Sequence, residues 1–145
     1  MSETLLAFDV GAKRIGVAVG NDLLRRAQAL DIVRVDARDD GLSTVAALVD
    51  EWRPQRLVVG IPFAVDGAPP SAAQKRCERF ASMLAARFGL PIERVDERYS
   101  SIDADTVHRE RRGAGLARRT RELDDVAAEV ILQRWLDALP VGAGA

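Results

Sequence analysis

The alternation of apolar and polar positions divides the chain into short segments. Thr4 to Val10 (TLLAFDV) is apolar throughout except for Asp9, the pattern of a strand buried on both faces. Gly11 to Arg14 forms a turn, and Ile15 to Val19 is a second β-branched run, so the two read as a hairpin. Ala29 to Val35 is a third, weaker strand. Gly41 to Trp52 carries Leu42, Val45, Leu48 and Val49 at helical spacing and stops before Pro54. Arg56 to Ile61 is a fourth strand, followed by a Pro- and Gly-rich loop from Pro62 to Pro70. Ser71 to Phe88 is the clearest helix, with Ala73, Cys77, Phe80, Leu84 and Phe88 on one stripe and Gly89 and Pro91 ending it. Pro91 to Val95 is a fifth strand.

Ser100 and Asp103 have capping-box spacing and predict a helix from Ser101 to about Arg112. Gly113-Ala114-Gly115 interrupts it, and a last amphipathic helix runs from Asp124 to about Leu139. The order β-β-β-α-β-α-β-α-α predicts a single-domain α/β fold, a mixed five-stranded sheet with helices on both faces. It spans residues 1–140, with 141–145 as a flexible C-terminal tail. Trp52, Trp135 and Cys77 read as core.

Composition narrows the class. The chain has 145 residues, 48% apolar and 30% charged, enough for one packed domain. One cysteine and one histidine, His108, exclude an internal disulfide and zinc sites built on paired Cys or His. No secretory leader or membrane-length apolar run is visible, so a cytoplasmic protein is expected. The net charge of −1 hides a basic middle: residues 71–121 hold 12 basic and 7 acidic side chains. A local basic region points to an anionic partner such as nucleic acid, although solvated helix faces would give the same count.

Three carboxylates are out of place. Asp9 interrupts the most apolar strand, where an uncompensated charge is costly. It needs a partner such as Lys13 or Arg14, or a cation. Glu97 follows the fifth strand, and open α/β sheets place ligands at the carboxyl ends of their strands. Asp124 continues the stripe Ala128, Ile131, Trp135 and so faces the sheet, although a helix N-terminus also accepts an acid for its dipole alone. Together the three could converge on one sheet edge, where their repulsion calls for cations of the Mg²⁺ type. Lys13 and Arg14 could contact phosphate from the first turn. Arg111, Arg112, Arg118, Arg119 and Arg121 form an arginine-rich segment leading into Asp124, and Arg98 could extend it.

Four blocks of the chain resemble one known family. Phe8-Asp9-Val10-Gly11-Ala12-Lys13-Arg14-Ile15-Gly16-Val17-Ala18 resembles the opening of the YqgF family, also called RuvX. Val58-Val59-Gly60-Ile61-Pro62 with Asp66-Gly67 is similar to its second block, Asp96 to Ser101 to its third, and Asp124 to Ala128 running on to Gln133 to its fourth. The resemblance implies an RNase H-like fold. It implies an acidic metal-binding and catalytic triad of Asp9, Glu97 and Asp124, with Mg²⁺ or Mn²⁺ as cofactor. It implies phosphodiester hydrolysis leaving a 5′-phosphate and a 3′-hydroxyl, in 5′-end maturation of pre-16S rRNA or in Holliday junction resolution.

The chain departs from the family pattern at Ala12, where threonine is common, at Asn21 for aspartate, at Ala64 for asparagine, and at Ser100 and Ser101 for threonines. None of these touches the triad. Two other classes remain open: a nucleic-acid-binding factor without nuclease activity, and a phosphate-binding fragment of the actin-like kinase type, for which one domain is too short. A resolvase needs two sites about a two-fold axis, so monomer and homodimer both remain possible.

Overall fold

The computed structural model describes residues 2–65, 67–97 and 120–140, of which 120–125 are described as helix backbone alone. The strands are β1 (Thr4–Val10), β2 (Arg14–Asn21), β3 (Arg26–Arg34), β4 (Arg56–Ile61) and β5 (Ile92–Asp96). The helices are α1 (Leu42–Trp52), α2 (Ala72–Phe88) and α3 (Thr120–Asp137). The expected helix over 101–112, the Gly113–Gly115 break and the tail 141–145 lie outside the described residues.

The sheet order is β3-β2-β1-β4-β5. β1 pairs antiparallel with β2 and parallel with β4, and β4 pairs parallel with β5. The carboxyl ends of β1, β4 and β5 therefore share one edge of the sheet.

β1 is the central strand, and its alternation splits the core in two. Leu6, Phe8 and Val10 pack with Val45 and Leu48 of α1 and with Cys77, Phe80 and Leu84 of α2. Leu5 and Ala7 pack on the other side with Val58 and with Ala128, Ile131, Leu132 and Leu136 of α3. Helices thus cover both faces, as expected. Asp9 follows Leu5 and Ala7 in the alternation and lies on the α3 face.

α3 is antiparallel to β1. Leu132 and Leu136 sit over Gly20, which pairs with Leu5 at the start of β1, while Ile131 sits over Gly60 near the end of β4. A Cβ at Gly20 would lie 2.8 Å from Leu132 Cδ2 and 3.0 Å from the Arg26 carbonyl oxygen, so glycine there sets how closely α3 approaches. The N-terminal turns of α3 consequently run toward the sheet edge that carries Asp9.

β3 begins at Arg26, three residues before the strand that the apolar pattern marks at Ala29. Its alternation is weak because it is an edge strand, half-exposed over most of its length, and α3 supplies part of its backbone hydrogen bonding. The Ala27 N–H donates to Gln133 Oε1 at 2.9 Å and the Ala29 N–H to Glu129 Oε1 at 3.1 Å. Gln133 Nε2 donates to the Arg25 carbonyl at 2.9 Å. These side chains occupy an edge that would otherwise invite another strand.

Ser71 caps α2, accepting from the Gln74 N–H at 3.0 Å, so the helix proper starts at Ala72. Trp52, expected in the core, is 37% exposed: it closes α1 and lines a cleft beside Leu24 instead. Trp135 and Cys77 are packed as expected.

The β3–α3 hydrogen bonds yield a prediction. Gln133→Leu keeps the volume but leaves the Ala27 N–H and the Arg25 carbonyl without that partner, at a cost of about 1–3 kcal/mol. Urea unfolding should show the midpoint fall with an unchanged m-value.

Candidate active site

Asp9 is the last but one residue of β1, and Glu97 follows β5 directly. Both lie on the α3 face, Asp9 with Ala7 and Glu97 in alternation with Val95. β4 lies between their strands, so their backbones are separated by two interstrand spacings, about 10 Å. Their carboxyl groups nevertheless meet and hydrogen-bond to one another.

Gly60 makes this possible. It is the next β4 position after Val59, which pairs with Phe8, so it stands level with Asp9. A Cβ at Gly60 would lie 2.5 Å from Glu97 Oε2 and 2.5 Å from Ile131 Cδ1. The absent side chain leaves room for the glutamate to cross β4 beneath Ile131. The reading of the residues assigned Gly60 no role. Its signal was a glycine inside the β-branched run RLVVGI, where an internal strand glycine marks close approach by another group.

Two carboxyls held this closely cannot both ionise freely. Burial, the charge of Asp9, the hydrogen bond to Asp9 and the charge of Asp96 push the Glu97 carboxyl up to about 8. Glu97 therefore keeps its proton to higher pH than an ordinary carboxyl, in a hydrogen bond to Asp9. Cys77 lies beyond it on the other face, its thiol donating to the Val10 carbonyl oxygen at 3.6 Å. Burial, then the charges of Glu97 and Asp9, push that thiol up to about 12, so it stays protonated and is packing rather than a nucleophile.

Lys13 and Arg14 sit in the β1–β2 turn, which closes with the Gly11 N–H donating to the Arg14 carbonyl at 2.8 Å. With Asp9, Gly11 and Ala12 they line a cleft of about 280 Å³. Asp124 lies in the N-terminal part of α3, seven residues before Ile131 and so about 10 Å upstream along the axis, toward the carboxyl edge. Its side chain, Arg98 and the segment holding Arg111, Arg112, Arg118 and Arg119 lie outside the described residues, as does the side chain of Arg121.

Among the described residues there is no group of three or more metal-ligating side chains. The Asp9–Glu97 pair is the part of the expected triad that is described. Its donors are hard oxygens with excess negative charge, suited to Mg²⁺ or Mn²⁺ and unsuited to soft metals. A divalent cation would take the place of the Glu97 proton.

The profile of the RuvX family, described as Holliday junction resolvase, matches residues 3–138. The chain belongs to the RuvX family. A Burkholderia cenocepacia protein provisionally named a pre-16S rRNA nuclease is 52% identical over 136 residues, covering 94% of this chain and 90% of that protein. A Paraburkholderia phytofirmans protein of the same provisional name is 50% identical over 136 residues, 94% of this chain and 89% of that protein. Among solved structures, Thermus thermophilus RuvC bound to a Holliday junction superposes with a TM-score of 0.62 at 17% identity, covering 93% of this chain and 94% of that one. The fowlpox virus Holliday junction resolvase superposes with a TM-score of 0.57 at 14% identity, covering 94% and 99%. At those identities the likeness is one of fold, and it bears out the RNase H-like sheet. Among the described residues of this RuvX-family chain, no helix is long and apolar enough to cross a membrane.

The Glu97 proton gives a pH prediction. Glu97 is raised in the folded state from 4.5 to about 8, so the unfolded chain loses this proton first. The metal-free protein should lose stability as pH rises from about 4.5 to about 8, and Glu97→Gln should flatten that slope in thermal melts. Mg²⁺ should raise the melting temperature more at the upper end of this window than at the lower.

Gly60→Ala displaces two side-chain ends rather than backbone, so its overpacking cost should stay within about 1–3 kcal/mol. It should nevertheless abolish the Mg²⁺-dependent rise, because the Glu97 carboxyl is the group it moves.

Proposed function

We propose that this chain is a divalent-metal-dependent endonuclease that cuts structured nucleic acid, with the 5′-end maturation of pre-16S rRNA as its role. The observation that carries this reading is the Asp9–Glu97 contact across Gly60. A protein gains nothing in stability from forcing two carboxyls together, and metal-dependent phosphoryl chemistry requires such a pair. The RuvX family and the names of relatives at 50–52% identity support the nuclease assignment and the rRNA substrate.

In this reading Asp9 and Glu97 hold the Mg²⁺ or Mn²⁺, with Asp124 entering from the N-terminal turns of α3. The cation supplies charge neutralisation and an activated water, the chemistry needed to hydrolyse a phosphodiester at neutral pH. The chain's own part is orientation. Gly60 fixes the spacing of the two carboxyls, and Ile131 excludes water behind them. Lys13 and Arg14, at the mouth of the cleft beside Asp9, hold the scissile phosphate and offset its charge. Arg98, Arg111, Arg112, Arg118, Arg119 and Arg121 grip the backbone.

The family description favours one second reading, resolution of a four-way DNA junction by the same carboxyls. It requires two copies about a two-fold axis. One assay separates the two. Labelled pre-rRNA ends and a four-way junction are incubated with Mg²⁺ or Mn²⁺ and either wild type or Asp9→Asn.

The account predicts RNA cutting by wild type, and at least a hundredfold loss in Asp9→Asn with the melting temperature retained. Symmetric junction cutting by wild type alone would favour the resolvase. Undiminished cutting by Asp9→Asn would overturn the site, and cutting of neither substrate would favour a binding factor.

A further inference from the structure

The carboxyl pair has a basic counterpart on the same face and edge of the sheet. β2 alternates like β1: Ile15, Val17 and Val19 join the α1/α2 core, so Arg14 projects with Gly16 and Ala18 on the α3 face. Gly16 pairs with Asp9. Arg34 pairs with Arg14 across the β2–β3 ladder and therefore lies on that face too. From β5 to β3 the edge thus reads Glu97, Gly60, Asp9, Arg14, Arg34, acids on one half and arginines on the other.

Arg14 and Arg34 are both exposed, so neither serves the core. They line, with Lys13, Val35 and Asp36, a cleft of about 650 Å³. This cleft shares Ala12, Lys13 and Arg14 with the one that contains Asp9, so the two form one continuous track. Its one acid is committed locally: the Asp36 carboxylate accepts the N–H groups of Arg38 and Asp39 at 2.8 and 2.9 Å.

We infer that the nucleic-acid backbone leaves the carboxyl pair across β2 and β3, and that Arg34 is the residue that holds the next phosphate along this track. A phosphodiester lying between the two guanidiniums would accept charge-assisted hydrogen bonds from both. Arg34 therefore sets the direction of the substrate over the sheet edge, away from α2. This inference rests on the nuclease reading, and it adds the path that the strand takes.

The test compares wild type, Arg34→Ala, Arg34→Lys and Arg34→Glu on the labelled pre-rRNA end and the four-way junction. Binding is measured in EDTA from 50 to 200 mM salt, and cleavage kinetics in Mg²⁺. Loss of one duplex phosphate contact lowers the slope of log K against log salt by about 0.9, so the advantage of wild type over Arg34→Ala should narrow about 3.5-fold across that range. Arg34→Lys should recover part of the binding, Arg34→Glu should lose more than Arg34→Ala, and the cleavage defect should fall on KM rather than kcat.

The melting temperature of Arg34→Ala should be unchanged, since the side chain is exposed, whereas a merely structural arginine would lower it. Wild-type binding and salt slope in Arg34→Ala and Arg34→Glu, with wild type binding and cutting normally, would overturn this inference alone. A wild type that binds neither substrate would overturn the nuclease reading and this inference with it.

Discussion

The structure turns on a contact that opposes folding: two carboxyl groups from strands that are not neighbours, brought together over a glycine. Asp9 and Glu97 would sit about 10 Å apart if each stayed over its own strand. They meet because Gly60 leaves β4 without a side chain between them, and because Ile131 closes the space above. Burial and the charge of Asp9 raise the Glu97 carboxyl there. Packing and topology serve this contact. The parallel β1–β4–β5 half of the sheet aligns the carboxyl ends, and the antiparallel run of α3 brings its first turns to the same edge.

The same edge explains the division of charge. β1 is the central strand and carries Asp9, with Glu97 on its β4–β5 side and Arg14 and Arg34 on its β2–β3 side. A polyanion approaching this edge meets guanidinium groups beside the carboxyl pair. In the proposed reading, attraction steers the backbone in beside the carboxyl pair.

Much of this was legible in the sequence because hydrophobic alternation is a physical record of burial. Asp9 stood out as a charge inside a strand apolar on both faces, and the strand is buried on both faces. The stripe Ala128–Ile131–Trp135 identified the inward face of the last helix before its partner was known. Glu97 was less legible: its neighbours Asp96 and Arg98 make an ordinary solvated sequence, and only its place at the carboxyl end of β5, together with the other two acids, marked it before the resemblance named it. Gly60 and Arg34 were not legible, because their roles depend on which strand lies beside which. Trp52 was misread because helical spacing marks a face and not how far along it the core extends. The start of β3 was missed because Arg26 and Gln28 are exposed and leave no apolar signal, while side chains of α3, distant in sequence, complete the hydrogen bonding there.

The most direct test is to locate the cation. Crystals of the wild-type protein grown with Mn²⁺ would be measured at the manganese edge. The account predicts an anomalous peak between the carboxyl groups of Asp9 and Glu97, with Asp124 completing the oxygen ligands. No peak there at saturating Mn²⁺, or a peak held by other residues while Asp9 and Glu97 remain hydrogen-bonded to each other, would contradict it.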